Sequence, residues 1–243
     1  EDGPVGDGLP DDPEFDIDPD DGADLAIIQL PVIAPFPAER YEIYSSTDEL
    51  SKLVTLVGYG NTGTGTLGEI DGGIATKRIG FNEIGDIDTL ANGEVLRYDF
   101  DSGGILDNTL GDSLGLGYTE AITGRGDSGG PWLMDGFLIA AITSSGGDSF
   151  GDIDQGTRLS GFTGFIEGVL TAAADVVLDM NAQPTGSNGV SDEITARRDP
   201  NDVDRLQILI DGQIVWSDLR VRVSSLTLTG SGDDDTFVID GDF

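Results

Sequence analysis

The chain is written as short apolar runs, each stopped within a few positions by Gly, Asn or Asp, and this rhythm constrains the fold more than any other feature. Residues 53–59, 73–79, 95–100, 131–134 and 137–143 are such runs. Runs too short for helices, with turn residues between them at regular spacing, are the signature of an antiparallel barrel or sandwich. The composition agrees: 37 glycines and only 7% aromatic residues favour tight turns between many strands over a helical bundle. A further run, Leu25-Ala26-Ile27-Ile28-Gln29-Leu30, follows Asp24 and is ended by Pro31, which predicts a buried strand. Residues 162–174 carry the one helical pattern, with Phe162, Phe165, Ile166, Val169 and Leu170 on a single apolar face.

The flanks read differently. Residues 1–23 are an acidic stretch, rich in proline and turn residues and without periodicity, expected to be loop. Within it Asp16, Asp18 and Asp20 alternate as in a calcium loop, but glycine falls one place late at Gly22 and the twelfth position is Ile27 instead of glutamate. A solvated loop is the reading preferred there. Residues 181–192 are a polar stretch rich in Gly, Ser and Asn. Beyond them come short alternating runs at 193–196, 206–210, 214–216, 220–223 and 226–228, with Asp211-Gly212 as a hairpin turn. The expected organisation is therefore an acidic loop (1–23), a main domain (24–175), a linker (176–192) and a small β module (193–243) that reads as the first unit of an array.

The formal net charge of −34, from 46 acidic and 12 basic residues, repels phosphate backbones and anionic lipid surfaces and argues against nucleic acid and membrane partners. The acidic surface suits either life at high ionic strength or calcium binding. Cysteine is absent, which removes disulfides and thiolate metal sites. No apolar run approaches the roughly 18 residues of a membrane span.

Gly126-Asp127-Ser128-Gly129-Gly130-Pro131 is the one motif with high specificity. Glycines on both sides of a serine let the backbone turn tightly and leave the hydroxyl uncovered. The backbone N–H groups of Gly126 and Ser128 can then serve as an oxyanion hole, where losing one donor typically costs on the order of a hundredfold in rate. Pro131 and Trp132 begin a buried strand that would hold the loop rigid.

This loop resembles the nucleophile loop of the trypsin/chymotrypsin family, and further segments fall in the family's order across roughly residues 22–175. Asp24 with the run after it resembles the catalytic-aspartate segment. Val57–Thr62 is similar to the strand and turn opening the second barrel, Ile142–Gly146 to the strand along which substrate backbone pairs, Gly156-Thr157-Arg158 to the back wall of the specificity pocket, and residues 162–174 to the C-terminal helix. The resemblance implies an all-β fold, a trypsin-like double β-barrel with its first barrel incomplete, one C-terminal helix and the small β module. It implies a serine endopeptidase in which Ser128 is nucleophile, Asp24 orients the base, and Ser144, Ser145 and Gly146 pair with a protein or peptide substrate. Ile122, six places before the serine, falls at the base of the primary pocket, where an apolar floor disfavours Lys or Arg side chains. The same residue reads equally well as core filler. Gly146 and Gly156 at the pocket wall would leave it open. In animal members of the family the counterpart of Asp127 pairs with a newly cut N-terminus.

The sequence departs from the family in one decisive respect: it contains no histidine. A serine is a weak nucleophile without an adjacent base. In the family that base precedes the aspartate by a few dozen residues, so a histidine upstream of Glu1 is the expectation, with a pseudoenzyme as the alternative. No cofactor or metal is required by this chemistry. Gly230–Asp240 resembles the glycine-aspartate repeats of calcium-binding β-rolls in bacterial surface proteins, so calcium in the C-terminal module and a secreted or cell-surface location are expectations, beside the plainer reading of an acidic turn. A binding module on the protease fold and a calcium-dependent adhesion protein remain as rivals. The sequence leaves the oligomeric state open.

Overall fold

The computed structural model describes residues 22–35, 37–70, 76–186 and 188–241. Asp16, Asp18 and Asp20, and residues 73–75 of one expected strand, lie outside the described residues. The chain divides into two compact units, residues 1–26 with 41–163 and residues 27–40 with 164–243. The first domain expected from the sequence ran continuously from 24 to 175, whereas here residues 27–40 group with the C-terminal unit.

The first unit contains β1 (Glu42–Ile43), β2 (Leu53–Gly58), β3 (Thr62–Thr64), β4 (Gly68–Ile70), β5 (Arg78–Glu83), β6 (Asp86–Thr89), β7 (Glu94–Asp99), β8 (Pro131–Met134), β9 (Leu138–Ser145) and β10 (Ile153–Arg158). Eight of them form one sheet in the order β5-β2-β8-β9-β10-β7-β6, with β1 added in parallel to β9. β3 and β4 form a separate antiparallel pair. The expected runs at 53–59, 95–100, 131–134 and 137–143 thus appear as β2, β7, β8 and β9, shifted by a residue or two at their ends.

What holds this unit is a core of Val54, Leu56, Ile84, Leu96, Tyr98, Trp132, Met134, Ala140 and Ala141, contributed by the central strands and the turn after β5. Trp132 and Tyr98 are fully buried with ring centroids 4.6 Å apart. Removing aromatics of this size from water contributes on the order of 4 kcal/mol each before entropy is counted. Their polar atoms are satisfied inside: the Trp132 indole N–H donates to Thr143 Oγ1 at 3.0 Å, and the Tyr98 hydroxyl donates to Asp154 at 2.7 Å. The Arg158 guanidinium, at the end of β10, donates through Nε and Nη2 to both oxygens of fully buried Glu49 and through Nη1 to Glu94. That two-pronged geometry is what lets a charged pair survive away from water.

The second unit contains α1 (Thr163–Thr171), β11 (Ala174–Asp179), β12 (Glu193–Asp199), β13 (Asp202–Ile210), β14 (Gln213–Leu219), β15 (Val223–Thr229) and β16 (Thr236–Asp240). β12, β13 and β14 form an antiparallel meander, closed at Asp211-Gly212, where φ is +50° and +78° as a two-residue primed turn requires. β15 lies parallel on β11, and β16 lies parallel on β12. One strand-turn-strand segment is thereby stacked on another, around a core of Ile33, Val176, Leu178, Met180, Ile194, Ile208, Ile210 and Val215.

The molecule is all-β with one α-helix among the described residues, as the spacing of the apolar runs predicts. Three local expectations are overturned. Residues 24–30 form no strand, and Ile28 and Leu30 are 83% and 57% exposed, because the run finds no partner strand and the chain passes there from one unit to the other. The helix is shorter than 162–174 and buries Ile166 alone, leaving Phe165, Val169 and Leu170 exposed. Residues 220–222 form a 3-10 turn in place of the start of a strand.

Candidate active site

The loop from Gly124 to Gly130 is fixed by backbone bonds on both sides. Asp127 N–H donates to the Gly124 carbonyl at 3.0 Å and Gly130 N–H to the Asp127 carbonyl at 2.8 Å. Gly129 N–H donates to the Thr143 carbonyl on β9, and Thr143 returns a bond through its own N–H to the Gly130 carbonyl. Gly126 and Gly129 take φ of +94° and +78°, conformations that an L side chain would strain. Between them Ser128 is exposed. Among the described residues, the N–H groups of Gly126 and Ser128 donate to no protein acceptor, while those of Asp127, Gly129 and Gly130 all do. Two unfilled donors flanking an exposed hydroxyl can bind an anionic oxygen.

The carboxylate of Asp127 turns inward. Its Oδ1 accepts from the Gly60 N–H at 2.7 Å and its Oδ2 from the Gly124 N–H at 3.0 Å. The turn after β2 accommodates it only because residues 58 and 60 are glycines. A Cβ on Gly58 would stand 1.9 Å from Asp127 Oδ1, and one on Gly60 would stand 2.7 Å from the Arg125 carbonyl oxygen. Asn61 N–H donates to that same carbonyl at 2.9 Å. Two backbone donors of this chain thus hold the Asp127 carboxylate.

Asp24 lies on the strands behind the loop. Its Oδ2 accepts from the Ser144 hydroxyl at 2.8 Å, and its carbonyl accepts from the Thr157 hydroxyl at 2.9 Å. Adjacent residues of β9 therefore carry both elements: Thr143 holds the serine loop and Ser144 holds Asp24. Ser145 ends β9 opposite Gln155, where the register with β10 slips between Gln155 and Gly156. A bulge of this kind re-aims the residues that follow it.

The pocket expected from the sequence is differently built. Gly156 is not an open wall: a Cβ there would stand 2.9 Å from the Ile142 carbonyl oxygen and 3.1 Å from Ala141 and Trp132. Gly146 is exposed, but a Cβ on it would meet Asp154 Oδ1 at 1.6 Å. The space behind Gly146 is thus occupied by the Asp154 carboxylate, which the sequence reading did not single out. Asp154 is fully buried and accepts from the Tyr98 hydroxyl, from the Thr123 N–H and hydroxyl, and from the Gly147 N–H. Burial pushes its pKa up to about 6, against the pull of these donors. Ile122 packs on the core and also lines a cavity of about 210 Å³ whose walls include Gly58, Ile79, Phe100 and Asp127. The signal for Asp154 was weak, since one aspartate in an acidic chain is distinguished only by the strand that buries it.

No protein-family model and no curated protein matches the sequence. A solved structure of neuropsin, a serine protease expressed in the limbic system of mouse brain, is similar over 54% of this chain and 54% of its own, with 16% identity and a TM-score of 0.34. The chain spans about half the length of that structure. Among the described residues no helix is long and apolar enough to cross a membrane.

Proposed function

We propose that this chain carries the nucleophile, oxyanion donors and orienting carboxylate of a trypsin-like serine endopeptidase, with the general base supplied by a histidine outside these residues. The observation that carries this reading is the pattern of N–H groups in the serine loop: among the described residues, those of Gly126 and Ser128 are left without acceptors while their neighbours are bonded. In the proposed reaction the Ser128 hydroxyl oxygen attacks the scissile carbonyl carbon and its proton passes to the histidine. The Gly126 and Ser128 N–H groups hold the oxygen that gains the charge. The C–N bond then breaks, the amine leaves with that proton, and water releases the acyl group by the reverse of the same steps. Asp24, bonded by Ser144, would orient the imidazole, and Ser144, Ser145 and Gly146 would pair with the peptide backbone. We place such an enzyme outside the cell or on its surface, acting on protein or peptide, and keep calcium in the 230–240 segment as a proposal.

The second reading, a peptide-binding module that keeps the fold without the chemistry, is favoured by the absence of histidine from all 243 residues. Fluorophosphonate labelling of the protein carrying its upstream segment separates the two. Labelling that disappears in Ser128→Ala supports the enzyme. A folded protein that never labels overturns it and leaves the binding module.

A further inference from the structure

Downstream of β7 the chain makes a long excursion, residues 100–119, before returning to Glu120 and the serine loop. Four glycines in it, Gly103, Gly111, Gly115 and Gly117, take positive φ. Its polar groups are distributed unevenly. Glu120 is saturated, because one oxygen accepts from the Asp101 N–H at 2.6 Å and the other from the Leu116 N–H. Asp99 Oδ2 accepts from the Leu110 N–H at 2.8 Å. Asp101, by contrast, is 95% removed from solvent, and its Oδ1 is fully buried with no hydrogen-bond partner among the described residues.

The Asp101 carboxyl lies among more negative charge. One carboxylate oxygen from each of Asp99, Asp101 and Asp112 falls in a group whose members all lie within 4.8 Å of one another. No Lys or Arg among the described residues forms an ion pair with any of the three. A buried charge without partner is among the costliest arrangements in a protein and demands a counter-charge or a proton. Burial and the charges of Asp99 and Glu120 do push the Asp101 carboxyl up to about 7, as expected where compensation is missing.

We propose that Asp99, Asp101 and Asp112 form a calcium site that pins the 100–119 excursion to the end of β7. The donors are all oxygens, which excludes a preference for soft metals. Calcium binds oxygen at about 2.3–2.6 Å, so oxygens on opposite sides of the ion stand about 5 Å apart, and this group fits within its shell. Magnesium demands near-ideal octahedral geometry and gives up its waters reluctantly, which favours calcium where protein carboxylates supply the ligands. The site uses none of the acidic residues at 233–235 and does not depend on the protease reading.

The test is a calcium chloride titration of the chelator-stripped 243-residue chain by calorimetry, with thermal unfolding in parallel and magnesium chloride as control. The expected result is a calcium-dependent rise in Tm of several degrees, larger than with magnesium, and loss of one binding equivalent in Asp101→Asn. Asp112→Asn, at an exposed position and therefore compatible with folding, should weaken that equivalent at least tenfold. Asp233→Asn should leave it intact. Absence of calcium binding by the unaltered chain, or binding unchanged in both Asp101→Asn and Asp112→Asn, would overturn the site.

Discussion

Two glycine-rich loops stand side by side in the sequence and treat their carboxylates in opposite ways. In the serine loop, Asp127 places each oxygen against a backbone N–H, those of Gly60 and Gly124, and the loop closes on itself. In the 100–119 excursion, Asp101 is buried more deeply than Asp127, yet one of its oxygens has no donor among the described residues. Elsewhere in the same unit Glu49 shows a third solution, a guanidinium that fills both oxygens. The comparison teaches that burial alone says nothing about whether a carboxylate is at rest. What matters is whether donors were built around it, and a loop without them carries an unmet demand for positive charge.

The largest effect should come from removing a built partner. Arg158→Met keeps the side chain's bulk but leaves Glu49 buried and unpaired, and should cost about 3–5 kcal/mol in urea unfolding. A loss below about 1 kcal/mol would mean that Glu49 escapes to water and that the contrast with Asp101 is weaker than drawn. Next comes Gly60→Ala, whose Cβ would press on the Arg125 carbonyl and on Asp127. Displacing the loop from its anchor should lower the fluorophosphonate labelling rate of Ser128 roughly a hundredfold in the protein carrying its base, with the fold retained by circular dichroism.

A pH series sharpens the comparison at Asp154, a carboxylate with several donors that burial still raises to about 6 from 3.8. Its folded pKa lies above the unfolded one, so the folded state holds an extra proton between about pH 4 and pH 6. The stability contributed by that proton is present at the acid end of this window and lost as pH rises through 6, by roughly 2–3 kcal/mol. The difference in unfolding free energy between the unaltered chain and Asp154→Asn should change by that amount across the window, and a flat difference would refute the shift. The smallest effect is expected for Thr143→Val, which deletes the hydroxyl bridging the Trp132 indole and the Gly130 carbonyl, at about 1 kcal/mol.

Much of this was legible in one dimension because it depends on neighbours along the chain. The strands β2, β7, β8 and β9 announce themselves by apolar runs between turn residues, the Asp211-Gly212 hairpin by its two turn residues, and the serine loop by glycines at the positions where φ is positive. Asp24 also meets β9 at Ser144, next to the residue that holds the loop. The run after Asp24 misled for a physical reason. Its apolar residues satisfy a strand pattern, yet a strand needs a partner edge, and none reaches residues 24–30 among the described residues. The helix misled in a similar way, since its apolar stripe predicts a buried face and only Ile166 finds cover.

The sequence by itself determined the all-β class, the turn chemistry and the identity of the loop that presents Ser128, because φ preferences and strand periodicity act over a few bonds. Only the tertiary structure decided which of 46 acidic residues meet donors and which meet each other. Asp127 finds Gly60 across 67 positions, Asp154 reaches Tyr98 across 56, and Asp101 meets Asp112 with no donor between them. Electrostatic environment is set by distances through space, and in a chain this acidic the order of the letters carries almost none of that information.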